Sequence, residues 1–150
     1  MSEGGLRIGE LAARSARSVH TIRWYEAQGL MPGVARDAGG RRVYHAMHVG
    51  WLELMDRLRR TGMSIAEMRE YTALVRQGRA SLRERKALLE AHRVRTEATI
   101  AQWLQALELI DGKIVFYDTW LATGEAPALP ASGALAAPAS TPKRRRTPPS

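Results

Sequence analysis

The chain has no cysteine, which excludes disulfides, thiolate metal sites and thiol-based redox sensing together. No apolar run approaches the ~20 residues needed to cross a bilayer. The opening residues MSEGGLRIGE lack the apolar stretch of a cleavable signal. A cytoplasmic protein without a membrane partner is expected. The constellations of an enzyme are missing as well. Gly39-Gly40 is not followed by the Lys-Ser/Thr and helix of a phosphate-binding loop, and no serine has a His and a carboxylate at a recognisable spacing. No catalytic residue and no cofactor is expected. His45 and His48, three apart at an expected helix start, are the one pair able to share a metal ion. Without a nearby carboxylate cluster they read better as surface or cap residues.

Acidic residues are also in short supply, and their distribution is informative. The formal net charge is +8. Residues 6–80 hold 13 Lys/Arg against 7 Asp/Glu, whereas residues 81–120 hold 6 of each. The surplus lies in the first half, where contacts to a polyanion would need it. A general solubilising charge would have spread further.

What is present is organised around Ser18 to Tyr44, SVHTIRWYEAQGLMPGVARDAGGRRVY. Ser18 is a helix N-cap, its hydroxyl placed to accept from the amides two or three residues on, and Gly29 ends the helix. Val19, Ile22 and Ala27 can face inward, leaving His20, Arg23, Trp24 and Tyr25 as a polar and aromatic surface. Residues 36–44 form a second unit, a basic hairpin. Gly39 and Gly40 supply the positive φ angles of its turn, and Val43 and Tyr44 favour an extended strand. Before these, Leu6 to Ile8 form an extended lead-in, and Ile8, Leu11 and Ala12 have the spacing of a small amphipathic helix. Helix, turn, helix and arginine-rich hairpin together describe a winged helix-turn-helix, one element for the DNA major groove and one for the flanking backbone. The candidate DNA-binding residues are Ser18, His20, Thr21, Arg23, Trp24, Tyr25, Arg36, Arg41, Arg42 and Tyr44. Arginine offers bidentate donors to phosphate or guanine, and a tyrosine hydroxyl can donate to a phosphate oxygen. Trp24 serves equally well as core, and Tyr44 suits packing better than contact.

Beyond the hairpin, Val49, Leu52, Met55 and Leu58, widened by Trp51 and Leu54, predict a helix of roughly four turns ended by Gly62. Ser64 to Glu67 is a capping box opening a helix whose inner face is Ile65, Met68, Tyr71, Thr72 and Val75. Ser81 to Glu84 reads as a second capping box. From there the apolar positions Leu89, Thr96, Ile100, Trp103, Leu107, Ile110, Ile114 and Tyr117 follow a heptad pattern, with Lys86 and Arg93 on the same seam. At ~1.5 Å per residue, a helix from Leu82 to Tyr117 is roughly 50 Å long. The small first domain cannot cover so long a seam, and a second copy in a two-fold dimer is the economical partner. Trp51, Tyr71, Trp103, Phe116 and Trp120 can instead line a pocket for a flat apolar ligand, although core or seam packing accounts for them more simply. After Thr123 the chain turns to proline, alanine and serine. Residues 124–150 are expected to be a disordered tail, and their Lys143-Arg144-Arg145-Arg146 run can add non-specific DNA affinity.

The ordered motifs resemble MerR-type bacterial transcription regulators over roughly residues 6–120. Thr21-Ile22-Arg23-Trp24-Tyr25-Glu26, followed by Gly29-Leu30 and Pro32, matches that family's recognition-helix pattern. Arg36, Gly40, Arg42 and Tyr44 match its wing, and Leu58-Arg59, Gly62-Met63-Ser64 and Met68 match the segment beyond. The resemblance implies a mainly α fold. A winged helix-turn-helix with two further helices (6–78) would precede a long antiparallel coiled-coil dimerisation helix (81–120). It implies a homodimer on a palindromic promoter operator in double-stranded DNA. Such a dimer distorts DNA so that RNA polymerase can engage both promoter elements, in some members in response to a small-molecule effector. Arg23 and Tyr25 would contact DNA from the recognition helix, and Arg36, Arg41 and Arg42 from the wing. The chain departs from the metal- and redox-sensing members in having no cysteine, and from the large drug-binding members in having no separate ligand domain. An architectural or excisionase-like DNA-bending protein is the rival reading, but it leaves the heptad helix unused. A coiled-coil adaptor would leave the arginine-rich hairpin unused.

Overall fold

A computed structural model of the chain describes residues 4–128. The elements in order are α1 (Ile8–Ser15), α2 (Val19–Ala27), β1 (Ala35–Arg36), β2 (Arg42–Val43), α3 (Met47–Arg60), α4 (Ile65–Arg76), a 3₁₀ turn (Gly78–Ser81) and α5 (Leu82–Thr123). The fold is mainly helical with a two-stranded wing. Two compact units divide at Gln102 and Trp103, inside α5. The expectation for residues 124–150 falls outside the described residues from position 129 onward.

In the first unit, local chemistry sets the boundaries. The Ser18 hydroxyl accepts from the Thr21 amide at 3.1 Å and starts α2. After α2 the chain turns at Gly29, whose φ of 75° favours glycine. Ser64 and Glu67 make the reciprocal capping bonds at 3.2 and 2.9 Å. The Glu67 carboxyl is held below its usual range, first by the backbone bond to Ser64. Ser81 does not repeat this pattern. It is buried at the end of the 3₁₀ turn with its hydroxyl directed back at the carbonyls of Leu74 and Gly78, so it closes α4 rather than capping α5.

The core is built by the inward faces of four helices and one strand end. Leu11, Ile22, Tyr25, Leu30, Tyr44, Leu52, Met55 and Met68 are wholly buried, with Trp51 and Tyr71 closing one side. Ala27, expected inside, is exposed. Burying this many large side chains contributes ~1.5–3 kcal/mol each relative to leaving them in water. The hairpin is tied into the domain by the paired bonds Leu6 N–H to Tyr44 C=O (2.7 Å) and Tyr44 N–H to Leu6 C=O (2.9 Å).

The connector from α2 to the wing hangs on α3. Trp51 donates its indole N–H to the Leu30 carbonyl at 2.6 Å. His48 accepts the His45 amide at Nδ1 (2.9 Å), so its proton is on Nε2, which donates to the Pro32 carbonyl at 2.7 Å. His48 is therefore buried structure rather than a surface residue, while His45 is exposed. Among the described residues no cluster of three or more His, Asp or Glu side chains could hold a metal ion.

Nothing in the sequence pattern marks the role of Asp56. Although buried on α3, it receives Arg17 at 3.1 Å and Arg60 at 2.9 Å, with Arg59 at 3.7 Å. Arg17 sits in the turn between α1 and α2, so this carboxylate locks the helix-turn-helix to α3. Lower down, Arg95 of α5 pairs with Glu67 of α4 at 2.6 Å, and His92 of α5 meets Thr61 at 2.7 Å. The Thr61 hydroxyl donates to the Arg57 carbonyl, so His92 Nε2 is the donor between the two side chains.

α5 extends six residues beyond the expected Tyr117. In the first unit Lys86 and Arg93, the two basic intrusions on the seam, pair along the helix with Glu90 and Glu97. In the second unit Trp103, Leu107, Ile110, Ile114 and Tyr117 are exposed, Trp103 by 72%. Phe116 packs edge-on against Tyr117 and Trp120, and Lys113 lies 4.4 Å from its ring centroid. No helix among the described residues is long and apolar enough to cross a membrane.

Candidate nucleic-acid interface

α2 presents Arg23 and His20, both exposed. Ser18 and Thr21 face each other across the first turn, their hydroxyl oxygens 2.9 Å apart. Trp24 is half-buried, packed edge-on against Tyr25 with the Arg59 guanidinium 5.6 Å from its ring centroid. It packs on the core and stays partly exposed.

Burial corrects Tyr25 as a contact and agrees with the packing reading of Tyr44. Tyr25 and Tyr44 are each 0% exposed, so neither ring can reach DNA without leaving the core. Tyr25 takes the inward position next to Ile22 on a helix too short to carry a clear apolar stripe. Tyr44 donates its hydroxyl to Glu26 Oε1 at 3.2 Å. Burial, with the Glu26 charge beside it, pushes the Tyr44 hydroxyl up to about 12.

The wing turn is built on Asp37. Oδ1 accepts the Gly39 and Arg41 amides, both at 2.9 Å, while Oδ2 receives Arg7 at 2.7 Å and Arg41 Nε at 3.2 Å. Gly40 takes φ 76° in the same turn, whereas Gly39 needs no positive φ. Arg36 donates to the Gly40 carbonyl at 2.6 Å. The Arg7 hydrogen bond is the largest cause holding the Asp37 carboxyl down at about 2. A depressed carboxyl contributes order that is complete above its ordinary value of 3.8 and is lost as pH falls through about 2. An NMR titration should therefore show the Arg41 amide keeping its native shift through pH 4 and changing with a midpoint near pH 2. A transition near pH 4 would remove the Arg7 bond from this account.

These tethers bring the cations together. An open cleft of about 420 Å³ between α2 and the wing is lined by Arg23, Glu26, Ala27, Val34, Arg36 and Arg42. An adjoining one of about 460 Å³ adds Arg7 and Arg41 to Arg23, Arg36 and Arg42. Four of the expected arginines thus share one surface, and Arg7, missed in the sequence, joins them. Its signal was only its place at the lead-in that pairs with the wing. Ser18, His20 and Thr21 lie on the first turn of α2 and line neither cleft. Trp51 and Tyr71, expected as possible pocket walls, stack on each other at 5.7 Å with an interplanar angle of 11° inside the core.

An arginine-lined surface on a helix-turn-helix and wing is the arrangement for binding a phosphate backbone. Residues 6–74 match the family described as MerR HTH family regulatory protein, and residues 49–112 match that described as MerR, DNA binding. A Haemophilus influenzae protein described as an uncharacterised HTH-type transcriptional regulator is 31% identical over 112 residues, covering 75% of this chain and 83% of that protein. The chain belongs to the MerR family. Like the other members, it is a DNA-binding transcription regulator. The crystal structure of HiNmlR, a MerR family regulator lacking the sensor domain and bound to promoter DNA, superposes with a TM-score of 0.68. It is 29% identical, covering 81% of this chain and 96% of HiNmlR. A Listeria monocytogenes protein assigned as a MerR family transcriptional regulator gives a TM-score of 0.73 at 36% identity, over 79% of this chain and 90% of that protein. The relatives fix the fold and the class of activity, while the arginine clefts are read from this chain alone.

Proposed function

We propose that this MerR protein acts as a homodimer that binds a palindromic promoter operator and distorts the DNA to control transcription by RNA polymerase. Residues 6–78 would be the DNA-binding part and 81–120 the dimerisation helix. The observation that carries the reading is the convergence of Arg7 from the lead-in with Arg23 of α2 and Arg36, Arg41 and Arg42 of the wing, in a chain whose long helix keeps an exposed apolar row. Monomeric proteins rarely leave so much contiguous apolar surface in water. Charge along α5 favours an antiparallel partner: residues 82–102 hold 5 Lys/Arg and 3 Asp/Glu, residues 103–123 hold 1 and 3. Antiparallel pairing sets the basic end of each helix beside the acidic end of the other. HiNmlR, which resembles this chain along nearly its whole length, is a family regulator seen on promoter DNA.

Selection of genomic fragments by the purified protein, followed by footprinting, tests the reading. Protection of a two-fold symmetric site between promoter elements, with enhanced cleavage at its centre, is expected. Uniform binding to all fragments without a symmetric footprint would leave the architectural DNA-bending role in its place. At the level of single residues, Arg42→Ala should weaken binding about five- to tenfold on specific and random duplexes alike, and lower the salt slope by about one. An unchanged slope would remove Arg42 from the phosphate contacts.

A further inference from the structure

Glu26 is the one acid among the described residues lining the cleft between α2 and the wing, where Arg23, Arg36 and Arg42 converge. Its carboxylate is fully engaged. Oε2 pairs with Arg42 Nε, and Oε1 accepts the Tyr44 hydroxyl. The Glu26 side chain is only 17% exposed while that of Arg42 is 49% exposed, so the pair forms the inner wall of the cleft with the guanidinium outermost. A carboxylate and a phosphate compete for the same planar donors of arginine. We propose that Glu26 occupies, in the free protein, the place of a DNA phosphate, and that Arg42 exchanges it for the backbone on binding. Glu26 thereby tunes affinity. Its pair with Arg42 has to be broken each time Arg42 takes a phosphate, on operator and arbitrary sequence alike, so the carboxylate lowers affinity for any backbone. It yields where the duplex path places a phosphate in the cleft, where Arg23 and Arg36 engage it as well. The buried Tyr44 hydroxyl keeps the carboxylate in position while Arg42 is away, so the exchange does not leave an unpartnered buried charge.

The inference rests on the phosphate-contacting role of Arg42 proposed above, and the test separates the two. The probe is a mixed-sequence duplex of about 30 base pairs at two salt concentrations. Glu26→Gln keeps the size and the acceptor for Tyr44 but removes the charge, and should bind this duplex about three- to tenfold more tightly at low salt, with a smaller gain at high salt. In the Glu26→Gln/Arg42→Ala protein that gain should vanish. If Arg42→Ala alone binds like the wild type, the phosphate contact itself fails. If Arg42→Ala weakens binding but Glu26→Gln gains nothing, or keeps its gain without Arg42, only the exchange is overturned. A reading free of substitutions uses the wild-type protein. The NMR resonance of Arg42 Nε should move on saturation with the duplex as its acceptor changes, and an unmoved resonance overturns the exchange even if the Glu26→Gln protein folds poorly.

Discussion

Trp103→Asp is expected to convert the proposed dimer into a monomer and to abolish operator binding as a consequence. Trp103 is 72% exposed within a single chain, and it stands on the seam between Ile100 and Leu107. In a two-fold assembly every seam residue is present twice, so one substitution removes two indoles, each worth ~3–5 kcal/mol when truncated from a packed site. It also leaves two carboxylates without partners in an apolar seam. Even with partial relaxation, the dissociation constant should rise by at least about 10³-fold. The winged unit, whose core lies elsewhere, should keep its own melting transition. Sedimentation equilibrium decides the point: a Trp103→Asp protein that remains dimeric at micromolar concentration would place the seam on another face of α5. Trp103→Phe, which keeps an apolar ring, should remain dimeric. Loss of the dimer predicts loss of the symmetric footprint, because a single recognition helix spans only one half-site.

The exposed apolar row of α5 was legible because heptad spacing can be read without a partner: Ile100, Leu107 and Ile114 recur every seven residues, and all three stay exposed in the single chain. Caps were legible for a similar reason. The signals at Ser18 and Ser64 are local, and the bonds form within three residues. Ser81 carried the same local signal, yet its hydroxyl turned to Leu74 and Gly78. A capping pattern gives no account of a tight turn immediately before it. The faces of α2 were the least legible part of the site. With nine residues, periodicity cannot decide between Trp24 and Tyr25, and tertiary packing chose Tyr25 for the core. The same packing placed Tyr44 inward, where its hydroxyl meets Glu26. The Arg17–Asp56 and Arg7–Asp37 pairs were invisible because the partners lie about 30 to 40 residues apart in the chain, and charge pairing at that range has no periodicity to read. Ala16, which takes φ 51° between α1 and α2, gives no hint in a sequence where glycine would have marked the turn. Four of the interface arginines were found in the sequence, while Arg7 and the acids that hold them were not.

Trp51→Ala is expected to be the most damaging single change within the DNA-binding unit. Trp51 has three jobs on α3: its ring fills the core at 9% exposure, stacks on Tyr71 at 5.7 Å, and its indole N–H holds the Leu30 carbonyl at 2.6 Å. Truncating a buried tryptophan costs ~3–5 kcal/mol, and stranding a buried carbonyl adds ~1–3 kcal/mol. The sum is comparable with the whole stability of a small domain, ~5–15 kcal/mol. At ~4–8 °C per kcal/mol for a unit of this size, the melting temperature should fall by roughly 20 °C or more, with DNA binding lost in proportion to the unfolded fraction. Trp51→Phe separates the parts. It retains most of the apolar area and a ring for Tyr71 but cannot donate to Leu30, so it should cost only ~1–3 kcal/mol. Because His48 still holds Pro32 two residues on, the connector between α2 and the wing should stay attached at one point. Circular-dichroism melts of the two variants test the division. A Trp51→Ala protein melting within a few degrees of the wild type would mean that Trp51 does not anchor the connector, and that its ring is free for a ligand after all.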